Sequence, residues 1–489
     1  VSAVARPAVA GLRAGGRSRE DVLADLAARR EHDLALHGGS AWAYVYDSGL
    51  AELEDLTREV YGRMLSINGL DPTAFPSTVS LENDVVGTVT ALLGGGPEHA
   101  GTFTSGGTES ITLAVKAARD SHPEIARPRL VKATTGHPAF HKAAHYLGVE
   151  VVNVPVDPVT YRADPAAIAA AIDADTVLVV ASAVSYPHGV LDPIEEIAAA
   201  ASARGVLCHV DACVGGFLLP FQRALGEPLP PFDLSVGGVT SISADLHKYG
   251  YAPKGASVVV FADAELRRAA YFAAADWPGY TVVNSAVQST KSAGPVAAAW
   301  ATLQHLGHDG YVALTRQSRD ALRGLVTGVE GIDGLRVLGD PIATFAAVAG
   351  EDGVDVFLVA DELRELGLYA QVQLSYDGSP GNLHLSTFGS SPEHVDRLVD
   401  GLREAVARAR AADPVAVPPE LGGALAGLNP DDLTAEVFAG FVAAVGVDLS
   451  SGTPGRMAFV NHVLDAAPIP LRERLLERFL GVLFTPSSD

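Results

Sequence analysis

The sequence predicts an α/β fold: a large, mainly parallel sheet flanked by helices, followed by a smaller C-terminal α/β domain. Three observations lead to it. Short, continuous, β-branched runs such as Val177-Leu-Val-Val-Ala-Ser182 and Gly205-Val-Leu-Cys-His-Val-Asp-Ala212 have the composition of strands buried on both faces. Helix-period stretches, Ala166 to Ile172 and Pro193 to Arg204, alternate with them, as parallel sheets require. A glycine turn in Gly101-Thr-Phe-Thr-Ser-Gly-Gly-Thr-Glu-Ser110 joins an apolar run to a helix continuing as Ile111-Thr-Leu-Ala-Val-Lys-Ala-Ala118.

The elements divide the chain into four parts. Residues 1–74 form an N-terminal segment: Val1 to Arg19 is Ala/Gly/Arg-rich and expected to be flexible. Helical patterns at Glu20 to Leu36 and Leu50 to Leu65 flank Gly38-Gly-Ser-Ala-Trp-Ala-Tyr-Val-Tyr46. Residues 75–310 build the large domain. Residues 311–412 form the small domain, with strands near Thr344-Phe-Ala-Ala-Val348 and Asn382-Leu-His-Leu-Ser386. Prolines in Pro414-Val-Ala-Val-Pro-Pro419 mark a linker. Within residues 413–489, helical stretches are expected at Leu433 to Val445 and Pro470 to Leu483.

Composition narrows the class of function. A length of 489 residues suffices for a large core. A net charge of -23 argues against nucleic acid and anionic membranes as partners. Cys208 and Cys213 lie in or beside a buried strand, with spacing that suits no metal site, so reduced thiols in the cytoplasm are expected and no metal is. No apolar run of about 18 residues occurs, so no membrane anchor is expected.

The chemistry concentrates in Ser241-Ile-Ser-Ala-Asp-Leu-His-Lys-Tyr-Gly-Tyr-Ala-Pro-Lys-Gly255. It places His247 and Lys248 on a turn after a strand-like run. The chain has only six lysines, and this segment holds two of them, Lys248 and Lys254. Asp211 ends an apolar strand upstream, at the carboxyl edge where open α/β sheets carry their sites. A lysine amine and a buried aspartate are what pyridoxal 5′-phosphate (PLP) needs, one for a Schiff base and one to pair with the protonated pyridine nitrogen. Asp211 could otherwise cap a helix. The glycine turn would hold an anion on free N–H groups and the helix dipole, helped by the Thr108 and Ser110 hydroxyls. It lacks the Lys-Ser/Thr of a phosphate-binding P-loop and the Gly-x-Gly-x-x-Gly of dinucleotide sites. His137, in Thr134-Thr-Gly-His-Pro-Ala-Phe140, could stack on a flat ring or simply contact solvent.

With these phrases assembled, the chain resembles the sphingosine-1-phosphate lyase-like members of the PLP-dependent (group II) decarboxylases. The resemblance rests on Thr104-Ser-Gly-Gly-Thr-Glu-Ser110, Pro187-His-Gly-Val-Leu-Asp-Pro193, His209-Val-Asp-Ala-Cys-Val-Gly-Gly-Phe217 and the Lys248 segment, and runs from about Gly39 to the C-terminal region. It implies the PLP-dependent transferase-like fold, fold type I. It makes Lys248 the Schiff-base lysine, Asp211 the partner of the pyridine nitrogen and His137 the stacking ring. It places Gly106, Gly107, Thr108 and His247 around the cofactor phosphate and Ser105 among the cofactor contacts. Tyr186 matches a functional tyrosine of some lyases, and Lys254 a lysine used on substrate phosphate. It also implies a homodimer with residues of both chains around one cofactor, and Trp42-Ala-Tyr-Val-Tyr46 suits an arm reaching the neighbour. Eukaryotic lyases of this family carry an N-terminal membrane segment, unlike this sequence.

Two departures bear on substrate. Leu70-Asp-Pro-Thr-Ala-Phe-Pro76 stands where the lyases have Leu-His-Pro, so Asp71 replaces a histidine that binds substrate phosphate. Ser289-Thr-Lys-Ser-Ala-Gly294 stands for Gly-Ser-Arg-Pro-Gly-Gly, so Lys291 replaces an arginine and its bidentate fork. Weaker use of sphingosine 1-phosphate is therefore expected. The substrate is a small amino compound. Retro-aldol cleavage of a β-hydroxy amine is the first reading, with Tyr186, Tyr46 or a cofactor phosphate oxygen as base. Amino-acid decarboxylation is the alternative, and a catalytically idle PLP-fold binding protein the least favoured.

Overall fold

The computed structural model describes residues 11–12, 14–444 and 456–486. Most of the expected flexible segment, Val1 to Arg19, and Val445 at the end of an expected helix lie outside them.

Seven strands form the large sheet: β1 (Ala100–Thr104), β2 (Arg129–Ala133), β3 (Glu150–Val154), β4 (Thr176–Ser182), β5 (Leu207–Asp211), β6 (Ser241–Asp245) and β7 (Ser257–Phe261). Their order is β1-β7-β6-β5-β4-β2-β3. β7 runs antiparallel to β1 and β6, and the pairs β6–β5, β5–β4, β4–β2 and β2–β3 are parallel. The sequence reason is burial on both faces: every residue of β4, β6 and β7 is buried, which suits their apolar and small side chains. The carboxyl ends of β1, β2, β4, β5 and β6 share one edge, and the turns leaving them carry the candidate residues.

A hairpin of β8 (Phe272–Ala274) and β9 (Val282–Asn284) precedes the helix Ala293–Glu330. The boundary read from sequence at residue 310 falls inside this helix, three residues past a kink at Gly307, whose φ of 55° a side chain would resist. Four antiparallel strands, β10 (Leu335–Val337), β11 (Phe345–Gly350), β12 (Gln371–Gln373) and β13 (Asn382–Ser386), make the small sheet in the order β10-β11-β13-β12.

Two expectations change. The helix read over Glu20 to Leu36 ends at Arg29, because the following residues turn through His32-Asp33 rather than continuing the pattern. The Trp42–Tyr46 segment packs on its own chain instead of projecting as an arm: Trp42 is fully buried, its indole N–H donates to the Gly39 carbonyl, and Ala41 bridges to Tyr369. An indole in contact with Leu and Val side chains gains too much from leaving water to stay on a free arm. Only Tyr44 of the segment is exposed.

The C-terminal helices Ala435–Ala444, Ala458–Ala466 and Ile469–Leu483 build a satellite core around Phe438, Val463, Leu471 and Leu475. Asp361 of the small domain accepts the N–H groups of Met457 and Ala458, and Arg456 pairs with Glu362, fastening this unit to the small domain. Among the described residues no helix is long and apolar enough to cross a membrane.

Candidate active site

Turns after the strands of the large sheet enclose a cavity of about 370 Å³ lined by Gly107, Thr108, His137, Asp211, His247 and Lys248 among others. Tyr186 closes one side. Nine of the residues read from sequence as cofactor contacts or catalytic groups, Ser105 and Gly106 included, therefore share one space.

The glycine turn leaves backbone donors free at a helix start. Gly106 has φ 155°, open to glycine and strained for other residues, and precedes the helix Gly107–Asp120. Among the described residues the N–H groups of Gly107 and Thr108 have no protein partner and stand at the positive end of that helix. Ser105 also lines the cavity. Its N–H and hydroxyl both donate to Glu109 Oε2, at 2.6 and 2.7 Å, so both its donors are already engaged. Glu109 Oε1 accepts from Val287 N–H at 2.7 Å, tying the turn to the 285–290 loop.

Asp211 is 8% exposed and accepts the Cys213 N–H at 3.1 Å, a local turn that holds its carboxylate at the cavity. His137 Nδ1 accepts from Ala139 N–H, which puts the neutral ring's proton on Nε2. Burial lowers its pKa, against the pull of Asp211, so the ring is neutral.

Lys248 Nζ lies 3.0 Å from Asp245 Oδ2. Burial is the largest single influence and opposes the lysine charge, but Asp245, followed by Tyr46, Cys213 and Asp211, together outweigh it and raise the ammonium pKa. Burial likewise opposes ionisation of Asp245; Lys248 and then His247 hold its carboxyl below the usual range. His247 accepts the Ala256 N–H on Nδ1 and faces Asp245 with Nε2 at 3.7 Å.

Lys254 and Tyr46 lie near Lys248 but do not line this cavity. Lys254 Nζ sits 4.5 Å from the Tyr46 ring centroid, and burial, then Lys248, lowers its pKa to about 8. Burial raises the Tyr46 phenol. Tyr186 stacks on His384 at 4.3 Å, meets the His137 ring edge-on at 6.2 Å and donates its hydroxyl to Gln371 Oε1 at 2.7 Å. Burial raises its pKa too, so the phenol keeps its proton at neutral pH and is poorly suited to act as a base.

Asp71 and Lys291 lie elsewhere. Asp71 is exposed, and its Oδ1 accepts from the Thr73 N–H and hydroxyl within its own loop. Lys291 Nζ bonds to Glu82 at 2.8 Å and to the Phe103 carbonyl at 2.7 Å, while Glu82 accepts the Phe103 N–H. The pair grips β1 just before the glycine turn. The two regions adjoin, since Gly69 N–H donates to the Lys291 carbonyl, but neither residue lines the Lys248 cavity of its own chain.

Sequence reasoning missed Asp245, Glu109, Glu82 and Gln371. Asp245 was in view, three residues before Lys248. Glu109, in the first turn of a helix after Ser105, has the pattern of a side chain reaching back to cap. Glu82 and Gln371 are distant in sequence and left no signal. One group of possible metal ligands occurs among the described residues: His37, Asp47 and Glu54, the ligand atoms within 4.8 Å of one another. Asp47 there already accepts from Gly49 N–H and the Ser390 hydroxyl.

The sheet order, the anion-binding turn, the buried lysine and the facing aspartate define a PLP enzyme of fold type I. Residues 36–330 match the family described as "Pyridoxal-dependent decarboxylase conserved domain", and residues 419–482 match "Pyridoxal-dependent enzyme, C-terminal putative HTH domain". The chain belongs to the pyridoxal-dependent decarboxylase family, as a sphingosine-1-phosphate lyase-like member; it is a PLP-dependent lyase. It is 37% identical to sphingosine-1-phosphate lyase of Dictyostelium discoideum over 392 residues, 80% of this chain and 73% of that one. It is 40% identical to sphingosine-1-phosphate lyase 1 of Rattus norvegicus over 359 residues, 73% of this chain and 63% of that one. The solved sphingosine-1-phosphate lyase of Burkholderia pseudomallei K96243 superposes with a TM-score of 0.76 at 37% identity, covering 83% of this chain and 95% of the other. A glutamate decarboxylase of Lactobacillus brevis, at 20% identity and a TM-score of 0.72, shares the fold.

Proposed function

We propose that the protein cleaves the bond between the α carbon and the hydroxyl-bearing carbon of a phosphorylated β-hydroxy amine of the sphingoid type, by a retro-aldol reaction. One contrast carries this reading: identity to a solved lyase of that kind is 37%, against 20% and 16% to decarboxylases of the same fold.

The residues present fit PLP. Two N–H groups at a helix start, unpartnered among the described residues, suit its phosphate, the Asp211 carboxylate suits its pyridinium, and Lys248 lines the same cavity. When bound, the cofactor supplies an electron sink that labilises one bond at the substrate's α carbon. Lys248 is the lysine that carries it. Gly107 and Thr108 would hold the phosphate by backbone N–H where Gly106 turns the chain, with His247 alongside. Asp211 would keep the pyridine nitrogen protonated, and His137, neutral and pinned by Ala139, would offer a ring face. Tyr186 delivers a proton rather than taking one. Lys254, backed by Tyr46, is the cation for a substrate phosphate.

Asp71 and Lys291 enter this scheme through a homodimer, in which their shared region on one subunit faces the cavity of the other. Light scattering that finds a fully active monomer would remove them from it. Two free buried thiols, Cys208 and Cys213, favour a reducing, cytoplasmic setting.

A substrate panel tests the reading. Phosphorylated sphingoid bases should release a long-chain aldehyde, and amino acids should release no CO₂. Release of CO₂ without aldehyde would make the protein a decarboxylase. Borohydride reduction of the holoenzyme followed by peptide mapping should find the cofactor on Lys248. Asp71→His should lower KM for the phosphorylated substrate at unchanged kcat; an unchanged KM would confine Asp71 to its own loop.

A further inference from the structure

Asp245 has no part in the scheme above, yet its carboxylate occupies the floor of the cavity. It ends β6 and is 2% exposed. Oδ2 is 3.0 Å from Lys248 Nζ, and Oδ1 is buried with no hydrogen-bond partner among the described residues. The carboxylate also backs the anion turn: a Cβ added to Gly107 would stand 2.9 Å from both of its oxygens. A buried carboxylate that is only half bonded is costly unless a cation faces it. Lys248 is that cation.

The surroundings leave Asp245 as the main control on Lys248. Tyr46, from the N-terminal segment, and Cys213, beyond β5, are kept neutral by burial. Asp211 adds a more distant negative charge, and Lys254 a positive one. His137 is neutral. His247 cannot take the lysine proton, because its Nδ1 accepts from Ala256 and its Nε2 already carries hydrogen in the neutral ring.

We propose that Asp245 is the internal counter-ion of Lys248 in the cofactor-free cavity, holding the lysine as ammonium and so setting the pH at which it becomes a nucleophile. The inference rests on Lys248 being the cofactor lysine. Condensation with an aldehyde requires the ammonium to release a proton to solvent; Nζ then bonds the carbonyl carbon, and the carbonyl oxygen leaves as water. Asp245 holds back the first of these events. It thereby protects an amine whose side chain is 19% exposed in an open cavity from stray electrophiles.

The test reads Lys248 directly, whether or not it proves to be the cofactor lysine. Cofactor is stripped from the full-length protein, which is then reductively methylated with formaldehyde and cyanoborohydride across about pH 7 to 10. Labelling of Lys248 is compared with that of exposed Lys142 by peptide mass spectrometry. Lys248 should react more slowly than Lys142 in the unmodified protein. Asp245→Asn and Asp245→Ser should each speed its labelling about tenfold or more near pH 8, since a loss of one pKa unit is tenfold in free amine. Asp245→Glu, which retains the charge, should stay close to the unmodified protein. Stopped-flow PLP capture should shift to lower pH in the same two neutral variants. Unchanged Lys248 profiles in Asn and Ser variants, or a Glu variant that behaves like them, would overturn the proposal. If Lys248 labelling responds as expected while reduction maps the cofactor to another lysine, the assignment of the cofactor lysine fails and the counter-ion stands.

Discussion

The Tyr186 hydroxyl donates to Gln371 Oε1 at 2.7 Å, joining a turn of the large domain to β12 of the small one at the edge of the Lys248 cavity. The bond fixes the phenol's direction, and the stack on His384 fixes its plane. Reach into the cavity is therefore decided by how the two domains pack.

Replacing Tyr186 by Phe should lower kcat by about a hundredfold, the lower range for a lost proton-transfer group, with PLP affinity unchanged. Gln371→Ala should lower kcat less, because it frees the phenol without removing it, and Gln371→Glu should restore much of the loss by accepting the same hydrogen bond. Steady-state kinetics beside an absorbance titration of PLP separate the two effects. A Phe variant with normal kcat would place the proton donor elsewhere.

Lys254 gives a pH signature. Its folded-state pKa, lowered by burial to about 8, means its charge is present below about pH 8 and lost above, well before a solvated lysine would lose it. If Lys254 binds substrate phosphate, KM should climb as pH rises through about 8 while kcat changes less. Lys254→Arg should flatten that rise, because a guanidinium stays charged. The sign for stability follows: between about 8 and 10.5 the unfolded chain binds the extra proton, so this residue's contribution to stability grows with pH across that window.

Gly107 tests the anion turn by space alone. An added Cβ would lie 2.7 Å from Cys213 Sγ and 2.9 Å from the Asp245 carboxylate oxygens. Gly107→Ala must push the turn away from β5 and β6. We expect a cost of about 1–3 kcal/mol, the usual range for overpacking, seen as a lower Tm and weaker PLP binding. Gly148→Ala is a useful control for strain without crowding: φ is 67° but nothing lies within 4 Å of the new atom.

The C-terminal unit should not bind DNA, despite the helix-turn-helix name of the family it matches. Residues 419–482 carry eight acidic side chains and four arginines. Three of the arginines are paired, Arg456 with Glu362, Arg472 with Asp465 and Arg474 with Glu477. Phosphate backbones demand a basic face with cations to spare. Gel-shift assays at low salt should show no retained complex, and a salt-sensitive complex would refute the expectation.

The sequence by itself determined the parts whose chemistry is local. Short, β-branched runs bounded by turn residues favour strands buried on both sides, so β4 and β5 were legible to within two residues. Lys248, Asp211, His137 and the glycine turn were legible because each sits at the carboxyl end of a strand or on the turn that follows one, and parallel strands bring such positions to one edge. Tertiary structure decided what depends on distant partners. Lys291 looked like a free cation until Glu82 and the Phe103 carbonyl met it from another helix and strand. Ser110 looked like a hydroxyl donor for the anion, but it is buried against the hydroxyls of Thr104 and Ser257, away from the cavity, and Trp42 looked like an interface until the small domain buried it. Short-range pattern records which faces of an element want burial. It does not record which cation finds which carboxylate, because that choice is made by packing between elements far apart in the chain.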